Sequence, residues 1–342
     1  MSSKSVIPLL EEFFSKYLPE VKGVSANTIT AYQYAFQQLF SFLDDVKGIN
    51  PDKVTYETLS GDVIIEFLTH LETERGCSVQ TRNLRRAAIM SFAKYAAKKS
   101  FSVTLPFYTA VTGVPKKKGP KDAGIKYFTK AEIALLLKLP DTSKTIGQRD
   151  VTLLSVLYST GARAQELCDI KLIDISLSSP TKIRLTGKGG KSRVVTIPDS
   201  CTAILNGYLR SRNLNVKDVS MQHRHLFSSQ TNEHMSISCV EDIVRKYVIK
   251  AKECNLDLFR QSNYTPHSFR HSIAVHMLEA GDSLVTIKAF LGHASISSTA
   301  IYAKVTPELA NKYLDERGQP LQDVASVTTP QPLPQALPFL YR

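Results

Sequence analysis

The stretch Thr265-Pro266-His267-Ser268-Phe269-Arg270-His271 sets a proline directly behind a threonine. Threonine caps helices, and proline suits the first helical position, where its missing N–H has no partner to lose. A helix is therefore expected from Pro266, with His267 at its start and Arg270 about one turn on. The positive end of such a helix suits an anion. Working outward, Leu291-Gly292-His293 follows, and Tyr302 stands nine residues after His293. Upstream lie Gly187-Lys188-Gly189-Gly190-Lys191 and Thr160-Gly161-Ala162-Arg163-Ala164-Gln165-Glu166-Leu167. Two arginines, a lysine and two histidines can surround a phosphate, and a tyrosine among them supplies a nucleophile.

The 342 residues suffice for two domains, and 43% hydrophobic with 22% charged residues is ordinary for a globular chain. The net charge of +12 is not ordinary and points to a polyanionic partner, nucleic acid before membrane. The five cysteines, Cys77, Cys168, Cys201, Cys239 and Cys254, are scattered without a C-x-x-C. That excludes a disulfide framework and a zinc finger, and fits reduced thiols in a cytoplasmic protein. No apolar run reaches the roughly 20 residues of a membrane span. The N-terminus makes a poor signal peptide.

The expected organisation is mainly α with a small β-sheet. In the first third, residues 27–43 and 60–74 carry apolar positions at spacings of three and four. Residues 78–99 hold Arg82, Arg85, Arg86, Lys94, Lys98 and Lys99 without an acid. Their apolar positions Leu84, Ala88, Phe92 and Tyr95 fall on one face, which leaves a basic face suited to DNA phosphates or, equally, to water. Residues 113–126, with two prolines, three glycines and five lysines including Lys116, Lys117 and Lys118, read as a flexible cationic linker. The domains expected are 1–112, a helical DNA-binding domain, and 127–317, a catalytic domain. The second opens at the capping box Thr129-Lys130-Ala131-Glu132 and holds a helix over 149–159, strands at 181–185 and 194–197 around the 187–191 turn, and then mostly helices. The proline-bearing residues 318–342 read as a tail.

The chemistry follows from what a phosphodiester resists. Charge grows on its non-bridging oxygens during attack, and guanidinium forks such as Arg163 and Arg270 neutralise it. The leaving 5′ oxygen needs a proton, which Lys188 can bring on a glycine-rich turn. His267 can move the proton of Tyr302, whose phenol gives a reversible phosphate ester. Its ordinary pKa near 10 requires neighbours that favour the phenolate. Lys191 and Arg193, beside Lys188, are candidates for DNA phosphates. Taken singly each residue has a plainer reading: 14 tyrosines mostly pack, and His271 and His276 read as satisfied helix histidines. The ordered set is what carries the assignment.

In this order these motifs resemble those of the tyrosine recombinase, or phage integrase, family, over roughly residues 5–315. The N-terminal part, with Ser25-Ala26-Asn27-Thr28-Ile29 and Tyr32, is similar to its helical core-binding domain. The resemblance implies two domains closing as a C-shaped clamp on double-stranded DNA. It gives Arg163 and Arg270 the scissile phosphate, Lys188 the 5′ oxygen, His267 proton transfer, and His293 a hydrogen bond to the phosphate. Glu166 would brace the site, and Tyr302 would form a 3′-phosphotyrosyl bond. Strands would exchange through a Holliday junction in a tetramer, with no metal or cofactor, and a partner recombinase is a known variation. A helix over 307–317 or the tail would link subunits. The early start of the core-binding pattern resembles two-domain members without an arm-binding domain, of the mobile-element or Xer-like kind, in the bacterial cytoplasm. Competing readings are an Xer-type dimer resolvase, a type IB topoisomerase, a non-catalytic DNA binder, and a zinc hydrolase from His267 and His271. The last lacks the glutamate that Ser268 replaces.

Overall fold

The computed structural model describes residues 5–119, 124–229, 231–261 and 263–304. Two compact units, Met1–Ala123 and Gly124–Arg342, divide the chain within the basic 113–126 stretch. The helix read at 307–317 and the tail at 318–342 lie outside the described residues.

The first unit contains α1 (Ile7–Glu12), which runs on as a π-helical stretch, α2 (Ala26–Lys47), α3 (Gly61–Thr73), α4 (Val79–Lys99) and α5 (Phe101–Gly113). Hydroxyl caps start two of them: Ser60 accepts from the Val63 N–H and Ser78 from the Thr81 N–H. Helix α4 is the hub, packed by α2, α3 and α5. Phe92 meets Phe13, Phe36 and Phe107 in the core between them. A helix wrapped on so many sides buries arginines too, and here the sequence expectation needs correcting. Leu84 is exposed, while Arg82 and Arg85 are buried. Arg82 donates to the Pro115 carbonyl at 3.2 Å, and Arg85 to Gln38 at 2.6 Å while lying over the Tyr34 ring. Arg86 donates to the Val114 carbonyl at 2.6 Å. These three arginines pair within the unit and are not a free basic face. Lys94 and Lys98 remain exposed and share a groove with Lys22 and Tyr108.

The same contacts correct the linker. Residues 114–117 are fastened to α4, because Asn83 donates to the Lys117 carbonyl and accepts its N–H. Lys117 also pairs with Glu72, whereas Lys116 and Lys118 are exposed.

The second unit contains α6 (Lys130–Lys138), α7 (Thr145–Thr160), α8 (Ala164–Cys168), β1 (Ile175–Ser176), β2 (Lys182–Thr186), β3 (Ser192–Thr196), α9 (Asp199–Ser211), α10 (Ile237–Cys254), α11 (Pro266–Glu279), α12 (Leu284–Leu291) and α13 (Ser297–Ala300). The Thr129–Glu132 capping box forms in both directions. The sheet is antiparallel in the order β1-β2-β3, with Lys182 opposite Thr196 and Thr186 opposite Ser192. Ile183 and Leu185 point to the core while Lys182 and Arg184 face water, the alternation of a half-covered strand. Strand β1 is too short for its period to be read from sequence.

Helix α7 runs through the middle of this unit, buried nearly all round, with α6, α9 and α11 against it. Several of its polar residues are held by partners. Thr152 and Thr160 bond back to carbonyls one turn earlier. The fully buried Asp150 carboxylate meets Arg149 at 2.8 Å, Lys246 at 3.0 Å and the Tyr247 hydroxyl at 2.9 Å, which fixes α10 against α7. A buried charge so surrounded is tolerated; stripped of a partner it would be costly.

Candidate active site

Five segments of the second unit converge: the end of α7 with α8, the β2–β3 turn, the start of α11, the end of α12, and the segment from α13 to Tyr302. Helix α7 ends at Gly161, whose φ of +58° is the left-handed conformation of a glycine cap. A Cβ there would stand 2.8 Å from Leu291 Cδ2. This close approach lets the Gly161 carbonyl reach Arg270.

Arg270 is completely buried. Its two terminal nitrogens donate to the Gly161 and Leu291 carbonyls, each at 2.7 Å. Both carbonyls close a helix, so the negative ends of α7 and α12 face one cation. Burial first, then the fields of Arg163 and Arg193, draw the guanidinium down to about 10, which leaves it charged at neutral pH. Its Nε is buried with no partner.

Arg163 starts α8 and is partly exposed. Glu166, three residues on, accepts both its backbone N–H at 3.0 Å and its guanidinium at 2.6 Å. The other face of that buried carboxylate takes Arg193 of β3 at 2.8 Å. Burial raises the Glu166 carboxyl, but Arg193 and Arg163 together outweigh it and hold it at about 2. Arg193, expected from sequence to meet DNA, is here a member of the cage: it braces Glu166 and packs beneath Gly292, where a Cβ would meet its Cδ at 3.1 Å. Lys188 opens the turn that Gly189 and Gly190 close with φ of +77° and +73°. The turn bonds across itself from the Gly187 N–H to the Lys191 carbonyl. Lys191 is exposed on it.

Helix α11 starts where the threonine–proline pair predicts, with the Ser268 hydroxyl accepting the Thr265 N–H. His267 is exposed at this end, and its imidazole is pushed down by desolvation, then by Arg270 and Arg163. His293 follows the left-handed Gly292 and holds Thr299 through Nδ1 at 2.8 Å. Burial, then Arg270 and Arg163, lower it to about 4. Helix α13 follows Ile296, and just before it the Ser295 hydroxyl accepts the Ser297 N–H.

Tyr302 is 1% exposed, its ring against Ala274, Val275, Ile287 and Leu291. Burial raises its phenol, while Arg270 and Arg163 pull it the other way. Its hydroxyl meets His271 Nδ1 at 3.0 Å. His271 had the look of an ordinary helix histidine. The signal that could have singled it out is its position four residues from His267, on the same face of α11. His276, also set aside, accepts or donates to the Tyr158 hydroxyl at 2.8 Å, away from the cage. Among the described residues no group of three or more His, Cys, Asp or Glu side chains could hold a metal.

Comparison with known proteins covers most of the chain. The model of the phage integrase family matches residues 126–308, and that of the phage integrase N-terminal SAM-like domain matches residues 10–100. A protein named as the integrase/recombinase y4rC of Sinorhizobium fredii is 32% identical over 306 residues, 88% of each chain. The tyrosine recombinase XerD of Staphylococcus epidermidis is 30% identical over 305 residues, 89% of this chain and 96% of that one. Among solved structures, the Tn1549 transposon integrase in complex with transposon right end DNA covers 90% of this chain and 98% of its own at 16% identity, with a TM-score of 0.65. XerH bound to its difH substrate in a post-cleavage complex covers 84% and 79% at 20% identity, with a TM-score of 0.63. These two likenesses concern the fold.

Proposed function

Since the chain belongs to the phage integrase family and is a tyrosine site-specific recombinase, we propose that Tyr302 breaks a strand of duplex DNA by forming a 3′-phosphotyrosyl bond. The observation that carries this reading is a buried tyrosine hydroxyl in the field of two arginines, one of them wholly buried and fixed by two helix ends. Arg163 and Arg270 hold the scissile phosphate. His293 adds a hydrogen bond from the ring nitrogen not used on Thr299, with the proton on that nitrogen. Lys188 protonates the leaving 5′ oxygen. His267, exposed at the start of α11, assists proton transfer at the site. Glu166, between Arg163 and Arg193, keeps the clamp from turning. The ester stores the energy of the broken bond, so a free 5′ hydroxyl can reverse the step.

The domain bounds we propose are a helical DNA-binding domain to residue 112, a connection over 113–126, and a catalytic domain over 127–317. Lys94, Lys116, Lys118 and Lys191 are exposed and suit DNA phosphates. The family resemblance supports a tetramer on two paired sites, joined through the C-terminal region, acting on DNA in the bacterial cytoplasm. The naming of the Sinorhizobium relative as an integrase supports work on a mobile element.

The test uses a supercoiled plasmid carrying the DNA that flanks the gene in its source genome. Wild-type protein and Tyr302→Phe are incubated with it in EDTA and stopped with SDS. An adduct at Tyr302 together with recombinant circles is expected from the wild type, with DNA binding but no adduct from the variant. Relaxation without recombinants would favour a topoisomerase, and an adduct in Tyr302→Phe would remove that residue as nucleophile.

A further inference from the structure

Three histidines flank the cage, and they are not equivalent. His293 spends Nδ1 on Thr299. His267 meets His271 edge to face, with ring centroids 4.4 Å apart at 83°, and stands at the solvent side. His271 lies between it and the tyrosine: its ring meets that of Tyr302 at 5.6 Å and 63°, and Nδ1 is 3.0 Å from the phenol oxygen. At that distance the two share a hydrogen bond whose direction is set by the tautomer of the imidazole. With the proton of His271 on Nε2, its Nδ1 lone pair accepts the phenol O–H.

We infer that His271 is the general base of strand cleavage, taking the Tyr302 proton directly; this rests on the reading of Tyr302 as the nucleophile. In the forward step the Tyr302 O–H bond breaks and its proton passes to His271 Nδ1. The phenolate oxygen bonds to phosphorus, the bond from phosphorus to the 5′ oxygen breaks, and that oxygen takes a proton from Lys188. In the reverse step the imidazolium returns its proton to the departing phenol.

The surroundings tie this transfer to bound DNA. His271 is lowered to about 4, by burial first and then by His267, Arg270 and His293, while burial raises the phenol. Without an anion the transfer is uphill. The charges facing His271 come from α11 (His267, Arg270) and the loop after α12 (His293), and its ring also meets the Tyr302 phenol. A phosphodiester seated on the arginines offsets their field and makes the imidazolium easier to form. The protein alone therefore keeps its nucleophile protonated, and the substrate itself completes the base.

The probe is a duplex enriched from a random-sequence library by binding to this protein, prepared with an ordinary phosphate and with sulfur in place of the bridging 5′ oxygen at the cleaved position. A thiolate leaves without an acid, so this second substrate isolates activation of the nucleophile. SDS-stable adduct formation is timed across pH for wild type, His271→Gln, His271→Asn and Lys188→Ala, with duplex binding as the check on folding. The expected result is a fall of about 10²-fold or more in both His271 variants on both substrates, with Lys188→Ala restored by the sulfur substrate. Wild-type or faster cleavage by both His271 variants would overturn the inference and make the contact a restraint on the phenol. So would rescue of the His271 variants by sulfur, which would assign them to the leaving group. An adduct in a Tyr302→Phe control would instead sink the nucleophile assignment beneath it.

Discussion

One carboxylate, Glu166, holds two guanidiniums from different elements, and its ionisation is a condition of the site. Its carboxyl is at about 2 in the folded protein against 4.5 as the ordinary value. The unfolded chain therefore binds this proton more readily, and the stability from Glu166 is fully present above about pH 4.5. It is lost as pH falls through about 2, a contribution of about 3 kcal/mol. Glu166→Gln removes that charge at every pH. It should lower the melting temperature at pH 7 and flatten the acid limb of the stability curve between pH 4.5 and 2; an unchanged acid limb would mean the carboxylate is not the group that titrates there. The same residue shows what a sequence conveys. Arg163 and Glu166 are three apart, so their pairing follows from helix geometry. The contacts of Arg193 with Glu166 and of His271 with Tyr302 are not legible in the same way, because the partners stand 27 and 31 residues apart, and local spacing says nothing across such gaps.

At the scale of elements, most boundaries follow from caps. Ser60, Ser78, Thr129 and Thr265 start helices where hydroxyls precede apolar periods. What did not follow is which face each helix buries. Arg82 and Arg85 are charged by composition yet buried by the crowding around α4, because tertiary packing decides which side faces water. Lys94 stays exposed on the same helix. Substitutions should separate the two roles. Arg85→Gln should lower the melting temperature of the first unit, having lost its bonds to Gln38 and the Ala31 carbonyl. Lys94→Gln should leave melting unchanged and reduce the salt dependence of duplex binding by about one phosphate contact. A reversed pattern would exchange the two roles. At the end of α7, Gly161→Ala meets both a left-handed backbone and Leu291 at 2.8 Å. A loss of roughly 2–4 kcal/mol is expected, measurable by urea unfolding, with Arg270 displaced and cleavage lost along with it.

For the whole molecule, two features matter. Each unit has its own buried cluster, one built around Phe36, Phe92 and Phe107 and the other around Leu153, Leu157 and Phe227. Residues 1–123 and 124–342 expressed separately should therefore each unfold cooperatively, with calorimetric and van't Hoff enthalpies in agreement; broad, non-cooperative melting of either piece would mean that it depends on the other. The second feature is the charge of +12. Duplex affinity should drop linearly on a log–log plot against salt, with a slope near −0.9 for each phosphate neutralised. A flat plot would remove electrostatics as the main source of binding. Both expectations were legible in composition and in the 113–126 stretch. The packing of residues 114–117 on α4 was not, since glycine, proline and lysine mark a break in periodicity without saying where the backbone goes next.

Arg270 joins the closing carbonyls of α7 and α12 with a single planar group. For anyone wishing to redirect such an enzyme to a new target site, this sets the map of permissible diversity. Libraries should vary the exposed lysines of α4 and the turn around Lys191, where side chains meet solvent. They should leave Leu157 to Arg163 and Ala289 to His293 as they stand. Any sequence drawn from those two windows must still deliver two carbonyls to one guanidinium, and few random draws will.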